Sequence, residues 1–184
     1  MSTKTRSAAA ASSISTAPER RAGMLSAWRW FALAAAIVAA DQVTKAIVLG
    51  RFSYGERLEL TGFFNLVLVY NKGAAFSFLS DAAGWQTPLL IGFAVVAVGI
   101  LGTLIVRSPG RRLFCTGLAL ILGGALGNLI DRFRYGQVVD FLDFHAAGWH
   151  WPAFNVADSA ITIGAVLLIL EGFAHHEGRA RAPS

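Results

Sequence analysis

Long apolar runs recur along the chain and are separated by more polar segments. The runs cover about residues 28–49, 88–106, 113–130 and 154–173. A bilayer core about 30 Å thick needs roughly 20 apolar residues of helix to cross it, and each run is close to that length. We therefore predict an all-α membrane protein in which four transmembrane helices form one domain over residues 27–174.

The loop between the first two runs, residues 50–87, has a different pattern. RLEL at 57–60 alternates apolar and polar residues, and FFNLVLVY at 63–70 is rich in β-branched and aromatic residues. Both features are typical of strands. After a turn at 71–73 comes AAFSFL at 74–79, which is short, apolar and aromatic. The pattern predicts a small β-sheet and then a loop segment that lies on the membrane surface.

The composition agrees with a membrane protein. Of the 184 residues, 55% are hydrophobic and only 15% are charged, and the mean hydropathy is +0.55. An ordinary soluble domain is less apolar than this. The single cysteine, Cys115, excludes an intrachain disulfide, and we expect it to be a small buried apolar residue.

Basic residues predict the orientation in the membrane. Of the 16 Lys and Arg residues, five precede or open the first run, three lie in the short turn 107–112 and two lie in the tail. By the positive-inside rule, this turn and both termini face the cytoplasm, and the longer loops 50–87 and 131–157 face outward, so the sheet is extracytoplasmic. The net charge of +5, from 16 minus 11, then reflects anchoring. We expect no nucleic-acid binding, because the basic residues do not gather on one folded face.

The N-terminal region has two interpretations. Residues 1–26 are rich in Ala, Ser and Thr and are predicted to be a disordered cytoplasmic extension, and residues 175–184 a cytoplasmic tail. Arg20, Arg21 and the sequence VAA at 38–40 also resemble a cleavable signal peptide. Apolar sequence resumes at 46–49, however, and an even number of spans keeps both basic termini on one side. We therefore predict that the first run is retained as a transmembrane helix.

Apart from Glu171 at the far cytoplasmic end of the fourth run, the strongest polar residues within the runs lie at one depth. Asp41 is in the last third of the first run, Asn128 is near the end of the third, and Asn155 and Asp158 open the fourth. Consecutive helices run in opposite directions, so these positions meet towards the outer face. Ionisable groups inside a membrane cost about 2.5–3.5 kcal/mol on insertion scales. The set therefore predicts a functional site, although interfacial anchoring is the alternative for each residue alone.

The third run ends in GGALGNLIDR, residues 123–132. Gly123 and Gly127 form a GxxxG pattern that lets another helix approach closely. Asn128, Asp131 and Arg132 share one helical face. Two interpretations stay open: Arg132 pairs with Asp131 at the rim, or Asn128 and Arg132 position a substrate backbone or a catalytic carboxylate.

The second outer loop contains side chains that could ligate a metal: Asp140, Asp143, His145, His150 and Asp158. It has no HExxH motif and no paired Cys and His spacing, so we expect no metal site. A serine nucleophile is disfavoured as well, because Ser77 and Ser159 lack a recognisable Lys or His base. A pair of aspartates remains.

Five sequence blocks together resemble a known family. They are DQVTK (41–45), NKGAAFSF (71–78), GGALGNLIDR (123–132), VVDF (138–141) and FNVADS (154–159). In this order they are similar to the motif blocks of lipoprotein signal peptidase, the bacterial signal peptidase II family. The resemblance covers essentially the whole predicted membrane domain.

The resemblance implies an aspartic endopeptidase of the inner membrane, with both termini in the cytoplasm and the active site near the outer face. Its substrate would be a prolipoprotein whose cysteine carries a diacylglyceryl group, cleaved on the amino side of that cysteine. By motif position, Asp140 and Asp158 correspond to the catalytic pair, and Asp143 falls outside the motif as a rim residue. The positions that bind substrate or support the pair are Asp41, Asn71, Asn128, Arg132 and Asn155, with Lys45 as a further candidate.

The resemblance implies no metal or organic cofactor, and we expect a monomer whose partners are the prolipoprotein and membrane lipid. The main alternative is a small ion- or proton-coupled transporter that uses intramembrane aspartates. A transporter predicts polar groups spread across the membrane depth and internal repeats, whereas here the polar groups lie at one level. A structural membrane adaptor is a second alternative, in which single Asp→Asn changes would be nearly silent.

Overall fold

In the computed structural model of the chain, residues 17–73 and 85–180 are described, with side chains over 27–73 and 85–174. The elements, in chain order, are α1 (Ala17–Leu49), β1 (Arg57–Thr61), β2 (Phe64–Asn71), α2 (Gln86–Arg107), α3 (Arg112–Tyr135), β3 (Val138–Ala146), β4 (Trp149–His150) and α4 (Val156–Ala180). Each helix contains a stretch long and apolar enough to cross a membrane: Ala27–Leu49, Gln86–Arg107, Arg112–Tyr135 and Val156–Ala174. The four predicted transmembrane helices are confirmed.

The N-terminal end of α1 and the C-terminal end of α4 differ from the predicted domain bounds. α1 begins at Ala17, so residues 17–26 are helical rather than disordered. Their Ala, Glu and Arg residues favour helix, and Pro18 is tolerated in a first turn, where its missing N–H is not needed. α4 likewise continues to Ala180, through the first part of the predicted tail. The rest of the extension and the tail, residues 1–16 and 181–184, lies outside the described residues.

α3 is longer than its apolar run. It continues past residue 130 through the charged segment that follows and ends at Tyr135. Gly136 terminates it with a φ of 71°, a left-handed conformation that glycine adopts without strain. The extension keeps Asp131 and Arg132 in helical register with the rest of α3.

α3 is also the central helix, packing against α1, α2 and α4. Its glycines allow the close approach. A Cβ added to Gly123 would lie 2.7 Å from the carbonyl oxygen of Ala34 in α1, and one added to Gly127 would lie 2.6 Å from a carboxylate oxygen of Asp41. The expected close contact at the GxxxG pattern is confirmed. It brings Asp41 directly against α3.

The strands form one antiparallel sheet in the order β1-β2-β3-β4. β1 and β2 come from the first loop, as predicted, whereas β3 and β4 are additions from the second loop. β3 pairs with β2 in a register that sets Asp140 opposite Val69 and Asp143 opposite Asn65. The apolar residues of VVDFLDFH can form a strand because the two aspartates that interrupt them find buried partners. The surface-lying segment predicted at 74–79 is outside the described residues.

The sheet is docked onto one end of the helix bundle, which we call the sheet end. Val139 and Phe141 of β3 are buried in a cluster with Leu68 of β2 and Val48 of α1. Side chains alternate along a strand, so Asp140 projects to the face opposite these two apolar neighbours. The fold therefore places Asp140 beside the ends of α3 and α4.

Candidate active site

Asn155 joins the two aspartates of the predicted pair. It lies just before α4, and its side-chain oxygen accepts a hydrogen bond from the backbone N–H of Asp158 at 2.9 Å. This is the N-cap arrangement, which satisfies an otherwise unpaired donor of the first turn. The Asn155 side-chain nitrogen donates to Oδ1 of Asp140 at 2.7 Å. One amide thus starts the helix that carries Asp158 and orients the carboxylate of Asp140.

Asn128 of α3 orients the second carboxylate. Its side-chain nitrogen donates to Oδ1 of Asp158 at 2.8 Å, and its oxygen accepts from Nζ of Lys45 at 3.1 Å. An ammonium group can only donate, so it must face the amide oxygen of Asn128. Lys45 therefore turns the Asn128 nitrogen towards Asp158.

Lys45 is the centre of a buried ionic cluster. Its Nζ lies 2.8 Å from Asp41 and 2.7 Å from Asp131, and the three residues are exposed by only 2%, 0% and 1%, respectively. Oδ1 of Asp41 accepts from the backbone N–H of Ala157 in α4 at 3.0 Å. The cluster is sealed from solvent, and neither Asp41 nor Lys45 lines the cavity described below.

Asp131 is a member of this cluster that lies within the GGALGNLIDR block but was not among the predicted site residues. Its Oδ2 accepts from the backbone N–H of Val139 in β3 at 3.1 Å. The interpretation that Asp131 pairs with Arg132 at a rim is wrong, because helical geometry turns Asp131 inward to Lys45. Arg132 points elsewhere and donates to the carbonyl oxygen of Gly73 at 2.9 Å. The sequence signal for Asp131 was present, since it lies three residues after Asn128 on one helical face.

Asn71 ends β2 beside the pair. Its side chain hydrogen-bonds Asp140, and its Oδ1 also accepts from the N–H of Gly73 at 2.9 Å. Arg132 holds the carbonyl of the same Gly73. Asn71 and Arg132 thus fix the turn that leads out of the sheet, at the edge of the cavity described next.

A cavity of about 520 Å³ opens between α2, α3 and α4 at the sheet end. Its polar lining is concentrated in a few side chains, whereas α2 and α4 supply apolar walls. The polar lining residues are Asn71, Asn128, Arg132, Asp158, Ser159 and Thr162, and the apolar ones include Leu90, Ala94, Ala125, Ile161 and Ile163. A cavity with polar side chains on one part and apolar walls on another suits a ligand that has a polar backbone and an alkyl part.

Asp140 lies behind the cavity and has an unusual affinity for protons. It is only 2% exposed. Burial, and after it the negative charge of Asp158, raises the pKa of Asp140 to about 7, although hydrogen bonds from Asn71 and Asn155 and the charge of Lys45 oppose the rise. Two close carboxylates do not both ionise cheaply and titrate as a unit. Because this pKa lies near 7, a substantial fraction of the pair holds a proton at neutral pH.

Asp143 takes no part in this network. It is buried in the outer part of the sheet, where it accepts from Asn65 at 2.8 Å and contacts Nδ1 of His150 at 2.8 Å. Burial raises its pKa, but the hydrogen bonds to Asn65 and His150 outweigh burial and hold that pKa below its usual value. The prediction that Asp143 lies at a rim is wrong, because the residue is buried; its hydrogen-bond partners, Asn65 and His150, are not those of Asp140 and Asp158. Among the described residues, no group of three or more His, Cys, Asp or Glu could hold a metal ion.

The sequence and the fold are both similar to known proteins. The profile of the signal peptidase (SPase) II family matches residues 33–174. The lipoprotein signal peptidase of Paraburkholderia phytofirmans is 56% identical over 156 residues, which cover 85% of this chain and 91% of the relative. That of Cupriavidus taiwanensis is 53% identical over 167 residues, which cover 89% and 95%.

Two solved structures of bacterial membrane enzymes, both determined by the in meso method, share the fold. One, at 2.3 Å resolution, has a TM-score of 0.74 and 28% identity and covers 85% of this chain and 94% of that chain. The other, at 1.9 Å, has a TM-score of 0.68 and 32% identity and covers 78% and 91%.

Proposed function

Because the chain belongs to the signal peptidase II family, we propose that it is an aspartic endopeptidase that removes the signal peptide from prolipoproteins, with Asp140 and Asp158 as its catalytic carboxylates. One observation carries the assignment of the pair. A single buried amide, Asn155, binds the side chain of Asp140 and the backbone of Asp158, and Asp158 lines a cavity with polar and apolar parts.

Two carboxylates that hold one proton can hydrolyse an amide with water alone. The ionised carboxylate takes a proton from water as the water oxygen attacks the carbonyl carbon, and the protonated carboxyl donates to the carbonyl oxygen. The resulting diol collapses when the C–N bond breaks. The leaving nitrogen then takes the proton that came from water, and one diol hydroxyl returns a proton to the other carboxylate. The pair ends with one proton, as it began, and no metal or organic cofactor is required.

The cavity supports a substrate that is part peptide and part lipid. Asn71, Asn128 and Arg132 offer hydrogen-bonding groups around Asp158 for an extended peptide backbone. The apolar walls from α2 and α4 suit the acyl chains of a diacylglyceryl group on the cysteine, with cleavage on its amino side. Binding energy from these remote chains can help to hold the scissile bond at the pair.

The opposite end of the bundle supports a cytoplasmic location for both termini. The guanidinium of Arg29, near the start of the first span, donates to the carbonyl oxygen of Pro109 in the α2–α3 turn at 3.1 Å. This end therefore collects the basic residues that the positive-inside rule places in the cytoplasm. The sheet and the pair would then lie at the outer face of the inner membrane.

We further propose that the chain acts as a monomer whose membrane domain covers residues 27–174. The described polar network lies at the sheet end of the bundle and not along its length. This distribution does not favour a transporter, which requires polar groups across the membrane depth.

The proposal is tested by isosteric substitution of the pair. Asp140→Asn and Asp158→Asn proteins, purified in detergent, are incubated with a diacylglyceryl-modified prolipoprotein, and release of the signal peptide is followed by gel shift. Neither variant should cleave detectably, because each leaves only one carboxylate. Asp143→Asn, on the same strand as Asp140, is the matched control and should cleave at close to the wild-type rate. Cleavage by either pair variant near the wild-type rate would disprove the assignment.

A further inference from the structure

We propose that Asp131 is a positioning residue of the catalytic pair, which ties β3 to Lys45 and whose charge sets the pH at which the pair loses its shared proton. The inference rests on the proposed function. Asp131 does not line the cavity and is only 1% exposed, so it acts through other residues and does not touch the substrate.

The contacts of Asp131 lead to Asp140 in two steps. Its Oδ2 contacts Nζ of Lys45 at 2.7 Å and accepts from the N–H of Val139 at 3.1 Å. Val139 immediately precedes Asp140, so this hydrogen bond fixes the backbone that carries the Asp140 side chain. Oδ1 is occupied as well, since Gln42 donates to it at 2.9 Å. A carboxylate with three donors on its two oxygens has little freedom to move.

Lys45 holds both halves of the pair through its two aspartates. Asp131 links the lysine to β3, whereas Asp41 links it to α4 through the N–H of Ala157 at 3.0 Å. The strand that carries Asp140 and the helix that carries Asp158 are thus tied to one ammonium group. The separation of the two catalytic carboxylates therefore depends on this cluster.

The charge of the cluster also acts on the pair. Lys45 carries +1 and Asp41 and Asp131 carry −1 each, which gives a net charge of −1. The charged groups that interact electrostatically with Asp140 are Lys45, Asp158 and Arg132. Its neutral hydrogen-bond partners are Asn71 and Asn155. Since Asp131 offsets part of the Lys45 charge, its loss exposes the pair to more positive potential and favours ionisation of Asp140.

The test is the pH dependence of prolipoprotein cleavage by Asp131→Asn and Asp131→Glu. Asparagine is isosteric but uncharged, so kcat should fall and the alkaline limb of the profile should move to lower pH by about one pH unit, the order expected for one buried charge at an effective dielectric near 20. Glutamate keeps the charge, so its alkaline limb should stay at the wild-type position even if kcat falls. A purely structural role for Asp131 would lower kcat in both without moving either limb, and that result would overturn the proposal.

A second comparison applies if Asp131→Asn alone does not fold. Lys45→Gln makes the cluster more negative and should move the alkaline limb to higher pH. Adding Asp131→Asn to Lys45→Gln should bring the limb back towards the wild-type position, and identical limbs in these two proteins would contradict the inference. Gln42→Met removes a neutral partner of Asp131 and should leave the limb in place.

Failure of the proposed function has a different signature from failure of this inference. If the function is wrong, the wild-type chain itself does not cleave the prolipoprotein. If only the inference is wrong, the wild-type chain cleaves and Asp131→Asn keeps the wild-type limb.

Discussion

Substitutions of Asn155 can separate helix capping from orientation of the catalytic carboxylate, because its side-chain oxygen and nitrogen make different hydrogen bonds. The oxygen caps α4 and the nitrogen holds Asp140. Asn155→Ser keeps an oxygen that can cap the helix but removes the donor to Asp140. Asn155→Ala removes both functions.

The expected magnitudes follow from these two contacts. Loss of an N-cap costs about 0.5–2 kcal/mol of stability. A hydrogen bond to a charged group contributes about 1.5–3 kcal/mol, and at 1.36 kcal/mol per factor of ten in rate this corresponds to roughly 10- to 150-fold. Both variants should therefore lose roughly 10- to 150-fold in kcat. Both variants should also lose stability, because the Asn155 nitrogen donates to Asn128 and to the carbonyl of Val139 as well. The alanine variant should lose about 1 kcal/mol more of unfolding free energy than the serine variant, because it also lacks the cap.

The assay combines prolipoprotein cleavage with unfolding followed by tryptophan fluorescence in detergent. Both variants should cleave slowly, and Asn155→Ser should unfold at a higher midpoint than Asn155→Ala because it keeps a capping oxygen. A serine variant with wild-type kcat would show that the Asn155 nitrogen does not orient Asp140. Equal unfolding midpoints for Ser and Ala would show that the oxygen does not cap α4.

Two further predictions concern protonation and helix contact. Burial and the charge of Asp158 raise the pKa of Asp140 to about 7, so the pair keeps its shared proton below that pH. We therefore expect kcat to fall as the pH rises through about 7. A pH profile of kcat that is flat from 6 to 9 would contradict this. Gly127→Ala places a Cβ 2.6 Å from the Asp41 carboxylate and should cost about 1–3 kcal/mol of stability together with most of the cleavage rate. Gly99→Ala in α2 is its control, because a Cβ there meets nothing within 4 Å, and both proteins are compared by unfolding and cleavage.

The apolar runs were sufficient to predict the helices, and the reason is physical. A segment of about 20 apolar residues is stable across a bilayer as a helix because its backbone groups must be bonded internally. The common depth of the polar residues could be predicted as directly. Asp41, Asn128, Asn155 and Asp158 were expected at one level, and hydrogen bonds now connect them at the sheet end.

Helix ends and the second half of the sheet were harder to predict. α3 continues beyond its apolar run because Asp131 and Arg132 find partners inside the fold. β3 contains two aspartates that interrupt an otherwise apolar strand. Hydrogen bonds offset the free-energy cost of burying these carboxylates. Asp140 is bonded by Asn155 and Asn71, and Asp143 by Asn65 and His150. Such partners are distant in sequence, so the local pattern does not reveal them.

The sequence by itself determined the membrane class, the four spans, the family resemblance and most of the polar residues that would meet, although not Asp131. Only the tertiary structure decided which of them touch the cavity and which are sealed behind it. Lys45 and Asp131 are distant in the chain, yet their charged groups lie 2.7 Å apart. The physical reason is that a buried charge must find an opposite charge or donors, and the partner it finds depends on how α1, α3 and β3 pack.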